Sequence, residues 1–498
     1  MGKESAAETT GKLLIAGTFR DAGEGESFGV INPATRATVG QAARGTEEDA
    51  REAVEAAREA QTGWAATPAP TRAEVLFRLG ELIRTHQEEI ARIVTLEEGK
   101  PLAEARGEVV QAYNTAMYYA GEGRRMWSMV VPSEQQRKLT FSVRQPLGVV
   151  AVITPWNFPS MIPMWNLAPA LVTGNTVVFK PASHTPLTAF RLAELFVEAG
   201  IPEGVLNLLT GPGGKIGEAL VNNPDVDVVA FTGETFTGRH ISEINARFMR
   251  RQVLELGGKN PMVVAADAKM DLTVAAALWS AFSNAGQKCT AASRIIVEEP
   301  VVDAFTKRFV EATERLRVGD GLKEGVEVGP LVSEPGLDKT KKYVEIGLDE
   351  GAKLLTGGKG YEDAARKEGF FHQPTVFAGT NDMRISQDEI FGPVTNIIPA
   401  PDLGEAMELA NDVRYGLASS IYTTDLKAAF DAVSAMEAGV AFVNQGPVGV
   451  EVHAPFGGVK ESGYGRELGE AALDDYTDKK TVYVDYSYEK QPWYFPWG

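Results

Sequence analysis

The sequence predicts an α/β protein built on parallel, doubly wound sheets, with a cleft between two of them. Three observations carry this. Short apolar strands alternate with amphipathic helical stretches from about residue 147 onward. The alternation restarts as a second set after Gly258. The chain, at 498 residues, is also longer than one ordinary domain.

The leader MGKESAAETTGK lacks the apolar core of a secretory signal, and Ala6 stands where a myristoylation pattern needs Ser or Thr. Two helices are expected next. GTEEDAREAVEAAREA pairs Thr46 with Asp49 at capping-box spacing, and TRAEVLFRLGELIR offers Thr71 with Glu74 in the same way. KLTFSVRQPLGVVAVI reads as extended, turning near Gln145-Pro146. NTVVFK is a strand, and the helix after it has Thr185 as its expected cap and Pro186 in its first turn. GVLNLLTG and VDVVAFTG are further strands, each followed by a helical segment; NPMVVAAD, RIIVEEP and ASSIYTT form the second set. KKTVYVDYSYEKQPWYFPWG begins as a strand and ends in four aromatics, and such a terminal strand needs a sheet to join. Ligands of parallel sheets sit outside the carboxyl ends of the strands.

A net charge of -18 excludes nonspecific attraction to nucleic acid or anionic membrane. No apolar run approaches the roughly 18 residues of a spanning helix, and a lone cysteine fits a reducing compartment, so a cytoplasmic protein is expected. His86, His184, His240, His372 and His453 are scattered without ligand spacing, so no metal is expected.

Cys289 is the only cysteine. Free cysteine is among the most buried residue types, but SNAGQKC is small, polar and turn-like. Lys288 adjoins the thiol and TAAS could open a helix after it, both of which favour thiolate. Glu255, between leucines in VLELGGKNP, is either a solvent-facing strand end or a buried carboxylate with the raised pKa of a general base. Asn157, in ITPWNFP, is either a turn residue or an amide donor for an oxyanion. GPGGKIG invites a dinucleotide reading, but Ile216 stands where the third glycine belongs, so a tight turn is the better assignment. Gly233 and Gly238, in FTGETFTG, begin a helix after a strand and could bring backbone N–H groups to a pyrophosphate.

PWNFP, LELGGKNP and GQKC, in this order and at these separations, resemble the aldehyde dehydrogenase superfamily, as do VVFKPAS, EIFGPV and PFGGVKESGYGRELGE. The resemblance runs from about residue 12 to 485. It implies that Cys289 attacks an aldehyde carbonyl, that Asn157 and the Cys289 backbone N–H hold the oxyanion, and that Glu255 activates water to hydrolyse the thioester left by hydride transfer. Relatives that transfer the acyl group to coenzyme A typically lack that base. Glu467 resembles a second acidic residue serving Glu255.

For the cofactor, the resemblance implies Thr154, Pro155, Trp156, Lys180, Ser183, Gly213, Phe231, Gly233, Thr235, Gly238, Leu256, Glu389 and Phe391. Members preferring NAD commonly carry glutamate where this chain has Ser183, so NADP is the expected preference, with NAD also accepted. The family usually has serine where this chain has Glu234, an acid beside phosphates. YYAGEG, GQKCTAASR and GVEVHAPFGGVK look most like the branch that oxidises α-ketoglutarate semialdehyde. The expected substrate contacts are Trp165, Lys288 and His453, with the last two as partners for its carboxylate. However, Trp165 and Asn166 occupy the region where a neighbouring branch places arginine, which keeps aliphatic, aromatic and succinic semialdehyde substrates open.

The implied domains are a Rossmann-like cofactor domain (1–123 and 147–257), a catalytic domain (258–465), and an oligomerisation arm with tail (124–146 and 466–498) that makes a homodimer or homotetramer. The rival from another class is a binding or structural protein that kept the fold without catalysis.

Overall fold

The architecture, taken from a computed structural model, is described for residues 9–495 and 497. The leader expectation, which rests on residues 1–8, lies outside the described residues.

Two large sheets organise the chain. The first runs, edge to edge, Gly463–Tyr464, Arg251–Glu255, Val228–Thr232, Val149–Ile153, Thr176–Lys180, Leu206–Leu208, Leu13–Ile15 and Thr18–Arg20. Its five central strands are parallel, with antiparallel strands at both ends. The central strands are mostly apolar and buried because both faces are covered, Arg251–Glu255 alone starting with the exposed Arg251 and half-buried Gln252. Val150, Val152, Val177, Phe179, Val228 and Ala230 join one buried cluster, while Val149, Ala151, Val178, Val229 and Phe231 join the other. Alternation along each strand thus feeds two helix layers.

The chain leaves Val149–Ile153 in one direction and later returns to its other side with Val228–Thr232. The carboxyl ends of these two strands are the switch point at which ligands of such sheets bind.

The second sheet runs Lys353–Thr356, Thr375–Ala378, Val394–Ala400, Ala292–Glu298, Asn260–Val264, Ala418–Tyr422 and Val440–Val443, parallel except for the first strand. A third unit pairs Thr477–Asp485 with Lys138–Pro146 over nine residues, with Val130–Val131 on the far edge. The division at 465/466 does not follow the sheets: Gly463–Tyr464 and the buried Ala472, Leu473 and Tyr476 all pack with the first sheet.

The helix starts are capped in different ways. Thr46 and Asp49 form the expected reciprocal cap on Glu47–Ala66. Thr71 caps nothing, because the next helix already begins at Ala69, where Pro70 suits a first turn that needs no N–H. Thr185 stands at the cap position of Pro186–Glu198 without bonding to it. The buried Glu97 carboxylate accepts the Leu187 and Thr188 N–H groups instead, both at 2.9 Å. Gly213–Gly217, expected as a tight turn, is one π-helical turn leading into Glu218–Val221. Among the described residues no helix is long and apolar enough to cross a membrane.

Candidate active site

A cavity of about 280 Å³ opens at the switch point, between the first sheet and the loops of the second. Each strand that ends there delivers a side chain to it. Pro155, Trp156 and Asn157 follow Val149–Ile153, Gly233 and Glu234 follow Val228–Thr232, and Glu255 and Leu256 end Arg251–Glu255. Cys289, Glu389 and Phe391 come from the second sheet's loops.

Cys289 sits after the Met270–Phe282 helix and a tight turn in which Asn284, Ala285 and Gly286 all have positive φ. It packs with Trp165, Phe456, Phe158 and Leu468, and the Trp165 and Phe456 rings lie 5.2 Å apart. Burial, reinforced by the charges of Glu389, Glu255 and Glu467, pushes its thiol well up. The Asn157 amide is 2 % exposed and donates one N–H to the Gln287 carbonyl at 3.0 Å. An amide has two such hydrogens, so one remains for a ligand.

Glu255 is also 2 % exposed, and neither oxygen accepts a well-formed protein hydrogen bond. Burial, then the Glu467 charge, hold its carboxyl well above the usual range. Glu467 accepts from Asn166 Nδ2 at 2.7 Å and from Thr232 Oγ1 at 3.1 Å. Burial raises it to about 7 against these two bonds. A half-buried thiol, a carboxyl whose proton affinity is raised by burial, and an amide donor thus share one cavity.

The other half of the cavity suits a dinucleotide. Glu234 is the N-cap residue of Thr235–Phe248, so that helix presents its N–H groups at the sheet's end. Gly238 is required there, since a Cβ would come within 2.5 Å of Leu256 Cδ2. At Gly257 a Cβ would meet Glu389 Oε2 at 2.5 Å, and Glu389 Oε1 accepts the Gly258 N–H at 3.1 Å. Phe391 holds a positive φ of 60° and meets the Trp156 ring edge-on at 5.4 Å. Gly257 keeps open a cradle that a side chain would narrow, Gly238 lets its helix pack closely on Leu256 behind that wall, and the residues fit a nicotinamide dinucleotide.

The aldehyde dehydrogenase family model matches residues 19–482. The chain belongs to the aldehyde dehydrogenase family. Alpha-ketoglutaric semialdehyde dehydrogenase of Bacillus subtilis (strain 168) is 42% identical over 95% of this chain and 97% of its own. The NADP(+) succinate-semialdehyde dehydrogenase of Escherichia coli (strain K12) is 40% identical over 95% of this chain and 97% of its own. Betaine aldehyde dehydrogenase from Staphylococcus aureus, solved in complex with NAD+, superposes with a TM-score of 0.95 at 34% identity, covering 97% of each chain. As an aldehyde dehydrogenase the protein is an NAD(P)-dependent oxidoreductase that turns an aldehyde into a carboxylic acid.

Several expected contacts fall elsewhere. The Lys288 ammonium turns away from the cavity to the Trp279 carbonyl at 3.1 Å and to Ser283 Oγ. Burial lowers it to about 8. It does not line the cavity, although its charge and that of the Cys289 thiolate still favour one another. No helix follows the thiol either, since the chain enters the strand Ala292–Glu298. His453 is mostly exposed and pairs with Glu451 at 3.0 Å. Asn166 faces Glu467 and the Tyr476 hydroxyl.

Lys180 is buried, lowered to about 8 by that burial, and donates to the Pro181 carbonyl at 2.7 Å; Ser183 Oγ donates to the Gly211 carbonyl at 2.7 Å. Both lie beside the cavity and not on its wall, as do Thr154, Phe231, Thr235 and Gly238, while Gly213 is exposed.

Sequence reasoning missed Ser333, Pro335, Gly336 and Lys339, which close the cavity from the Glu334–Asp349 helix. The signal was present: SEPG is a serine cap followed by a first-turn proline.

Proposed function

We propose that this enzyme oxidises an aldehyde through a thioester on Cys289 that Glu255 hydrolyses, with α-ketoglutarate semialdehyde as its substrate and NADP as its preferred cofactor. The observation that carries the chemistry is the convergence of Cys289, Asn157 and Glu255 on one cavity.

The Cys289 thiol gives its proton to the Glu255 carboxylate, which passes it on through Glu467 to solvent, and the sulfur bonds the carbonyl carbon, whose oxygen becomes anionic and accepts hydrogen bonds from Asn157 Nδ2 and the Cys289 N–H. A nicotinamide dinucleotide held by Trp156, Gly233, Glu389 and Phe391 would supply the hydride acceptor, and the Cys289 sulfur is left carrying a thioester. Glu255 then takes a proton from water as it attacks the acyl carbon; the C–S bond breaks, the thiol is regenerated and the carboxylic acid departs. Glu467, beside Glu255 and raised to about 7, receives or returns that proton. The apolar packing around Cys289 keeps the thioester away from stray nucleophiles.

Ser183 supports the NADP reading, since it carries no charge to repel a 2′-phosphate and a rotation would release its hydroxyl from Gly211. The Bacillus relative supports the semialdehyde. A second reading, an aliphatic or aromatic aldehyde, is favoured by the Trp165–Phe456 wall and by the positions of Lys288 and His453.

Assembly into a homodimer or homotetramer is part of the proposal. Thr477–Asp485 lies at one edge of its three-stranded sheet, and Trp127, Met129 and Val130 are exposed at or just before the strand on the opposite edge. Cytoplasmic localisation fits the single cysteine.

The test is steady-state reduction of NADP⁺ and NAD⁺ with α-ketoglutarate semialdehyde, succinic semialdehyde, hexanal and benzaldehyde, beside Cys289→Ala. The proposal expects turnover of the acidic semialdehyde with NADP⁺ and none in the variant. Preference for hexanal or benzaldehyde replaces the substrate, and activity in Cys289→Ala removes the mechanism.

A further inference from the structure

A chain of buried charged groups lies behind the cavity, on the segment joining the Gln87–Glu98 and Leu102–Glu122 helices. No motif in the sequence singled it out. Lys100 follows Gly99, whose φ of 102° ends the first helix, and its side chain is fully buried. Its ammonium donates to Glu108 Oε2 at 2.7 Å and to the backbone carbonyl of Asn157 at 2.6 Å, and lies 3.9 Å from the centre of the Phe158 ring.

The other oxygen of Glu108 accepts from Ser160 N at 2.7 Å, Ser160 Oγ at 2.8 Å and Met161 N at 3.3 Å. Those N–H groups begin the Met161–Thr173 helix, which has no side-chain cap of its own. One ion pair therefore grips the tetrapeptide Asn157–Ser160 at both ends. The same Asn157 carbonyl accepts from Asn284 Nδ2 at 3.1 Å, within the turn that leads to Cys289.

The pair is costly to keep. Two charges are withdrawn from water, and such pairs are often no more stable than apolar residues of similar volume. Stability alone is thus a weak reason for charge at this place, whereas fixed geometry at a reacting centre is a strong one.

We propose that Lys100 and Glu108 are positioning residues for the oxyanion site, holding the Asn157 loop so that the free amide N–H faces the carbonyl bound to Cys289. The proposal rests on the donor role given to Asn157 above. Neither group reaches the cavity; both act through the backbone of the loop. Loss of the pair lets the loop shift, and displacements on the order of 1 Å at a catalytic group cost about 100-fold in rate.

The experiment is a mutant cycle on the full enzyme, read as the pre-steady-state burst of reduced cofactor, with iodoacetamide alkylation of Cys289 in parallel. The variants are Asn157→Ala, Lys100→Met, Lys100→Met/Glu108→Leu, Glu108→Gln, and Asn157→Ala/Lys100→Met/Glu108→Leu. The Lys100→Met/Glu108→Leu pair removes both charges of the ion pair together should the single change fail to fold.

The expected result is a burst rate about 100-fold lower in Lys100→Met/Glu108→Leu with alkylation unchanged, a smaller loss in Glu108→Gln, whose single amide oxygen serves Lys100 or the Ser160 N–H but not both, and no further loss when the pair is removed from Asn157→Ala. A full loss added on top of Asn157→Ala, an unchanged burst in the pair variant, or an equal fall in alkylation overturns the proposal. An unchanged burst in Asn157→Ala alone instead overturns the donor role on which it rests.

Discussion

Replacing Glu467 by glutamine tests the electrostatics of the site without touching the thiol. Glutamine keeps an oxygen that accepts from Asn166 and Thr232, as Glu467 does at 2.7 and 3.1 Å, but it cannot titrate. Burial raises Glu467 from 4.5 to about 7 in the folded chain. A carboxyl that binds its proton more tightly folded than unfolded contributes stability in full below the unfolded value, and that contribution is lost as pH rises through the folded value. At 1.36 kcal/mol per pH unit, the gap amounts to about 3 kcal/mol in total, of which about 2 falls between about pH 5.5 and about pH 8.5.

The wild type should therefore lose stability relative to Glu467→Gln over that window, and the variant should hold a growing advantage. Urea unfolding of both proteins at one protomer concentration measures it. The difference between them cancels buried acids that Glu467 does not perturb, such as Glu97 and Glu98, each raised to about 8 by burial. Parallel stability curves across the window would refute the reasoning, because Glu467 would then titrate like a solvated carboxylate.

Ser183→Glu places a negative charge where a 2′-phosphate is expected; kcat/KM for NADP⁺ should fall about 10- to 100-fold with NAD⁺ little affected, as cofactor kinetics will read. Gly257→Ala forces a methyl against Glu389 Oε2, and overpacking of about 1–3 kcal/mol should raise the KM for either cofactor while Cys289 alkylation stays normal. Thr46→Ala removes the capping-box oxygen from Glu47–Ala66 and should cost about 1 kcal/mol in urea unfolding with no change in kcat.

The alternation of strands and helices was legible because it is local. Every central strand is a run whose two faces are read directly from alternate residues, and Cys289, Glu255 and Asn157 each lie in a short motif at a strand end or turn. What failed depends on groups distant in sequence or on backbone rotation. The direction of Lys288 is set by positive φ at Asn284 and Ala285, residues that ordinarily avoid that region. The cap of Pro186–Glu198 comes from Glu97, about ninety residues earlier. Lys100 and Glu108 sit on a helix-forming stretch with ordinary composition, and only the fold brings them beneath Asn157.

The central claim is that Glu255 hydrolyses an acyl group carried by Cys289. Its most direct test is mass spectrometry of Glu255→Gln, acid-quenched during turnover with aldehyde and NADP⁺. The account predicts one equivalent of reduced cofactor released in a burst, slow turnover after it, and an acyl adduct on the peptide carrying Cys289. A Glu255→Gln enzyme that turns over at the wild-type rate with no adduct on Cys289 would contradict it.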